Sequence, residues 1–148
     1  MKTSGHVELQ VLREGKVVHS SSGPNTVVTA GKNLYAYILQ SATPGRPTHF
    51  GFGSGTTAPD VSQTTLATEF TTGTMAGYAR HAFAPTVSGN IVTYATNTGW
   101  TATAAGSLRE IGIFTASTAG TMVARFLTTV FSLQTGDVLK MNWVLTVG

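Results

Sequence analysis

The chain has 148 residues, 41% of them hydrophobic and only 10% charged, with a formal net charge of +3 and no cysteine. That length suits one domain, residues 1–148, with a core of its own, and the missing thiols exclude disulfides, thiolate catalysis and Cys-ligated metal. The nine Lys and Arg are scattered singly between Lys2 and Lys140, without the cationic stripe that phosphate neutralisation needs, so direct nucleic-acid binding is not expected.

In chain order, His6 to Leu12 alternates like a half-buried strand. Arg13-Glu14-Gly15-Lys16 reads as a turn and Lys16 to His19 as the start of the return strand, together a hairpin that sets His6 and His19 up as a cross-strand pair. Ser20 to Asn25 holds chain breakers and reads as a loop. A helix is predicted from Thr29, as its cap, to Gln40, with Leu34, Tyr37 and Ile38 on the buried face. After the loop Ser41 to Pro47 come a short strand, Thr48 to Gly53, a long loop, Ser54 to Thr65, and one helical turn over Leu66 to Phe70. Met75 to Val87 reads as a strand, Ser88-Gly89-Asn90 as its turn, and Ile91 to Thr103 as the return strand with a bulge at Gly99.

The last third has the clearest period. Leu108 to Phe114 is a strand and Ser117 to Gly120 its turn. Thr121 to Phe131 follows, with Met122, Ala124, Phe126, Thr128 and Val130 on one face. Gln134 to Asp137 turns the chain into Val138 to Val147, where Leu139, Met141, Trp143 and Leu145 oppose Lys140 and Asn142. Threonine, roughly a sixth of the chain, favours a pleated surface. The fold class is therefore mostly all-β: an antiparallel β-sandwich or jelly-roll-like barrel with one short helix. Ile111, Ile113, Phe126, Leu139, Met141 and Trp143 are the expected core, with Ile113 and Met141 the two that can instead face a neighbour.

The sequence concentrates no chemistry. Gly51-Phe52-Gly53-Ser54-Gly55 lacks the Lys of a phosphate loop and has no helix directly after it, so its glycines read as close-approach positions. Ser54 is not a nucleophile elbow, because Phe52 stands where G-x-S-x-G needs glycine. His6, His19, His49 and His81 show no metal-ligand spacing, and the six carboxylates, Glu8, Glu14, Asp60, Glu69, Glu110 and Asp137, form no close pair. Arg109 and Glu110 point to opposite faces of a strand, which leaves Glu110 to pair with a residue such as Arg125. Catalytic, cofactor-binding and metal residues are all assigned as none, and no enzyme and no cofactor are expected. Trp100, Trp143, Tyr78 and Tyr94 are the aromatic side chains that a sugar-binding module would use. No run approaches the roughly 18 apolar residues of a membrane span, and Met1 to His6 lacks the apolar stretch of a secretory signal, which leads to an expectation of cytoplasmic synthesis.

Several runs resemble a family of small structural proteins of tailed-bacteriophage virions. They are Asn25 to Leu34, Thr48 to Pro59, Thr64 to Glu69, Leu108 to Phe114 with Gly120 to Arg125, and Thr135 to Trp143, in matching order from about Val7 to Val147. Thr71 to Met75 departs from the family pattern ahead of Arg80. The resemblance implies a virion component assembled in the bacterial host cytoplasm and no catalytic residues. The leading expectation is a capsid decoration or cement protein, seated where major capsid protein subunits meet. The alternative is a tail, collar or fibre component involved in host attachment. Sparse charge and a neutral Thr/Ser/Ala surface suggest a homo-oligomer on other virion proteins, with no membrane partner. The hairpin Lys2 to His19 and the loop Ser54 to Thr65 are the expected contacts.

Overall fold

The computed structural model describes residues 3–39, 45–70, 79–96 and 99–147, with side chains as far as residue 35 in the first stretch. The elements in chain order are β1 (Thr3–Arg13), β2 (Lys16–Pro24), β3 (Thr26–Val27), α1 (Thr29–Leu39), β4 (His49–Gly53) and β5 (His81–Ala82). They continue with β6 (Thr86–Ser88), β7 (Ile91–Ala95), β8 (Trp100–Thr101), β9 (Gly106–Phe114), β10 (Met122–Leu133) and β11 (Val138–Val147).

The strands form two antiparallel sheets. The first runs β2-β1-β11-β7-β6, with β8 also paired to β11; the second runs β3-β10-β9-β4-β5. They are not closed into a barrel, so of the two architectures expected from sequence the sandwich is the one seen. Val7, Leu9 and Val11 of β1 and Leu139, Met141, Trp143 and Leu145 of β11 point into the shared core. Phe50, Phe52, Ile111, Ile113, Ala124 and Phe126 meet them from the second sheet. Rings lock the layers: Phe50 lies 4.4 Å from Phe83 and 6.3 Å from Trp143, and Phe52 stacks on Trp100 at 4.8 Å. All six expected core residues are buried, including Ile113 and Met141, which therefore do not face a neighbour.

The β1–β2 hairpin turns through Glu14 and Gly15, both with positive φ, as a two-residue turn of primed type requires. Beyond it, β2 continues through Ser20-Ser21-Ser22-Gly23 to Pro24, where the sequence suggested a loop. The run is polar because β2 is an edge strand and largely solvated. It is also blunted as edges are, by Lys16, by Pro24 and by a bulge opposite Val11/Leu12. In that register His19 lies opposite Val11 and His6 opposite Pro24, so the two histidines do not pair.

Helix α1 begins close to its expected start, but Val28, not Thr29, is the cap: its carbonyl accepts Lys32 N–H at 3.1 Å. Leu34 is buried as expected, whereas the side chains of Tyr37 and Ile38 lie outside the described residues. At Gly31 the helix touches the backbone of Val123 so closely that a Cβ would collide with it.

Four further expectations are corrected. Leu66 to Phe70 forms no helical turn; it turns at Ala67 and Thr68 and makes an isolated bridge between Glu69 and Gly53. The expected strand Met75 to Val87 lies partly outside the described residues, and the rest splits into β5 and β6, which belong to different sheets. Its expected partner, Ile91 to Thr103, is likewise divided into β7 and β8, and Gly99 (φ 79°) sits at that break, bonding back to Thr96, instead of forming a bulge. On β10, bulges interrupt the alternation, so Val130 ends 56% exposed although Met122, Ala124, Phe126 and Thr128 are buried.

Candidate functional site

The two outer faces of the sandwich differ. Over the second sheet, the chain between β4 and Phe70 crosses β9 and β10 to the start of α1 and returns. A buried ion pair holds it there. Glu110 on β9 and Arg125 on β10 meet at 2.9 Å (Nε) and 2.6 Å (Nη2), and both side chains are 0% exposed. The Glu110 carboxylate also accepts the backbone N–H groups of Gly55 (3.0 Å), Ala67 (3.0 Å) and Thr68 (2.7 Å). Arg125 Nη1 donates to Thr57 O at 2.8 Å and to Gln63 Oε1 at 2.9 Å. Charge buried without partners is costly, and here the two groups partner each other through Arg125 Nε and Nη2 and spend their remaining named contacts on the loop.

The loop is also laced internally. Gln63 accepts from Asp60 N–H (3.0 Å) and donates to Ala58 O (3.1 Å), while Asp60 accepts from Ser62 N–H (2.8 Å). The Ser62 bonds hold the Asp60 carboxyl below its ordinary range. Val61 O takes Thr29 N–H at 2.8 Å, tying the far end to α1. Gly53 and Gly55 have no room for a Cβ beside Glu110. The glycine run is thus a close-approach device, as the sequence suggests. From Thr56 to Ser62 every residue is exposed, on a backbone already fixed from beneath.

No described segment crosses the outer face of the first sheet. Ser20 and Ser22 of β2, Gln10 and Glu8 of β1, and Lys140 and Asn142 of β11 line a shallow depression of about 360 Å³. Gln10 pairs with Lys140 and Glu8 with Asn142 across the strands, and Asn142 Nδ2 reaches Glu8 Oε2 only at 3.4 Å. Farther along, His6, Val144, Thr93 and Thr86 form one row and Ser4, Thr146, Ile91 and Ser88 the next.

Further ion pairs and hydrogen bonds hold strands and turns together. Arg13 Nε and Nη2 each bind Asp137 at 2.8 Å, which keeps that carboxyl below its ordinary value. Arg80 binds Glu69 at 2.6 and 3.0 Å, donates to Ala116 O and Ala119 O, and lies over the Phe114 ring. His19 shares a 3.2 Å hydrogen bond with Thr128 and stacks on Phe131. Burial lowers the affinity of His19, His49 and His81 for protons; Arg80 adds to this at His49, and His49 at His81. No cluster of three or more His, Asp or Glu side chains able to hold a metal occurs among the described residues. Trp100, Trp143 and Tyr94 are buried and cannot stack on a sugar, and Tyr78 lies outside the described residues. No helix among the described residues is long and apolar enough to cross a membrane.

The hairpin expected as a contact is also core: β1 lies between β2 and β11, with Val7, Leu9 and Val11 fully buried. Deleting it would remove an inner strand, so only β2 is available at that edge. Sequence reasoning found the Glu110–Arg125 pair but not the loop amides it holds, which lie 42 to 55 residues from Glu110.

A family model described as "Podophage GP4 fiber I protein gp80" matches residues 26–144. No curated protein and no solved structure matches.

Proposed function

This chain belongs to the podophage GP4 fiber I protein gp80 family of phage structural proteins, and from that premise we propose that it is a non-enzymatic component of the tail-fibre apparatus of a tailed-phage particle. The family match over residues 26–144 is the observation that carries this reading, and it favours the fibre alternative over head decoration. Two features are consistent with work done by binding. The buried charges Glu110, Arg125 and Asp137 are spent on holding the fold, and the segment from Thr56 to Ser62 is presented on a pinned backbone. A surface ordered before contact loses less conformational entropy on docking. The partners are other virion proteins, met partly through that loop.

A phage with an amber codon early in this gene tests the assignment. Grown on a non-suppressing host, it should yield filled heads of normal heat and chelator resistance that adsorb poorly to cells. Normal adsorption with heads that rupture on heating would instead assign the chain to head decoration.

A further inference from the structure

We propose that the outer face of the first sheet is a self-complementary docking surface that pairs two copies of this chain face to face. The face is polar yet nearly uncharged. Among the described residues its one fixed anion is Glu8 and its one fixed cation Lys140, on adjacent strands and in adjacent rows, among Ser, Thr, Gln and Asn together with His6, Val144 and Ile91. Elsewhere the exposed cations Lys16 and Lys32 contribute to a chain of net charge +3, so two copies repel through most orientations. Through this face they do not.

A two-fold axis running along the strands between β1 and β11 sets β1 of one copy over β11 of the other. Each Glu8 then meets Asn142 of the second copy, with Lys140 one row along, and each Gln10 meets Lys140. The second copy returns the same contacts, as an isologous interface requires. Hydroxyls and carboxamides both donate and accept, so the rows through Ser4 and Thr146 are compatible with their own copies. The fourteen outward positions named above, at strand spacing, give about 450 Å² of projected area per copy, or about 900 Å² for the pair, the size of a weak, transient interface. The depression between Ser22 and Lys140 leaves room for the long side chains of the second copy or for bridging water. The pairing does not depend on where in the particle the chain sits.

Sedimentation equilibrium of the full chain tests it, with charge reversal as the probe. Wild type should associate to a dimer. Glu8→Lys and Lys140→Glu should each weaken association about tenfold or more by placing like charges together, and the double variant E8K/K140E should restore it. Both side chains are exposed, and thermal melts of each variant check that the fold is kept. A wild type that stays monomeric at high micromolar concentration overturns the proposal. So does association that neither single variant alters, or a double variant weaker than either single one. Perturbation of Gln10 and Asn142 NMR signals by host surface polysaccharide, in a chain that stays monomeric, would reassign the face to a glycan.

Discussion

The two outer faces come from the same Thr-rich, charge-poor chain, yet one is roofed and the other open. Over β9 and β10 a buried carboxylate and guanidinium gather four backbone groups and a glutamine side chain, three of the contacts being loop amides on Glu110. Over β1 and β11 the charged residues Glu8 and Lys140 are exposed, and Asn142 reaches Glu8 only at 3.4 Å. The difference is one of dielectric. Charge in a dry setting acts strongly and must be fully partnered, whereas charge in water is screened and serves orientation more than stability. The roofed face is therefore where substitutions should change folding, and the open face is where they should leave it nearly unchanged.

The largest expected effect is at the clamp. Arg125→Ala leaves Glu110 buried without its cation and should destabilise the chain by about 3–5 kcal/mol. Hydrogen exchange should show the amides of Gly55, Ala67 and Thr68 opening well before the β9–β10 core. Protection unchanged from wild type would mean that the loop holds itself. Trp143→Ala, in the layer between the faces, should cost about 3–5 kcal/mol by chemical denaturation, and a loss below about 1 kcal/mol would contradict its burial.

Gly31→Ala is a sharper probe of how the roof is seated. Alanine ordinarily gains about 1 kcal/mol over glycine inside a helix. Here the added Cβ meets the Val123 backbone, so the sign should reverse to a loss of about 1–3 kcal/mol. A stabilised variant would show that α1 can lift from β10 without cost.

Acid should act on the histidines. His19, His49 and His81 bind protons less readily in the fold than in the unfolded chain, mainly through burial. As pH falls below about 6.5 the unfolded state takes up protons first, so stability present above that pH is progressively lost. Asp137, whose folded affinity is also depressed, contributes above its unfolded value of 3.8 and is lost only in stronger acid. Melting temperature should fall between pH 7 and 5, and a flat profile would show that these rings stay solvated.

Smallest of all, Glu8→Lys on the open face should shift stability by no more than about 0.5 kcal/mol in thermal melts, and a loss above about 1 kcal/mol would show that Glu8 supports the fold.

How much of this was legible in the sequence follows the same physics. β11 was read residue by residue, because one of its faces is solvated and its alternation survives as Leu139, Met141, Trp143 and Leu145 against Lys140 and Asn142. β10 was misread beyond Thr128, because bulges reset its register and a roof buries Arg125 on what would otherwise be a wet face. The Ser-rich half of β2 carried no alternation to read, since an edge strand is wet on more than one side. Leu66 to Phe70 had a helical look, but the N–H groups of Ala67 and Thr68 go to Glu110 and not to carbonyls a turn earlier. Local pattern cannot announce a partner some 40 residues away. The ion pair was visible as chemistry; its role as a clamp depends on contacts that only the fold brings together.

Electron microscopy of intact particles carrying gold-labelled copies of this chain tests the fibre assignment most directly. Label confined to the tail, at the fibres or their attachment points, is the expected result, and label spread over the head shell would contradict it.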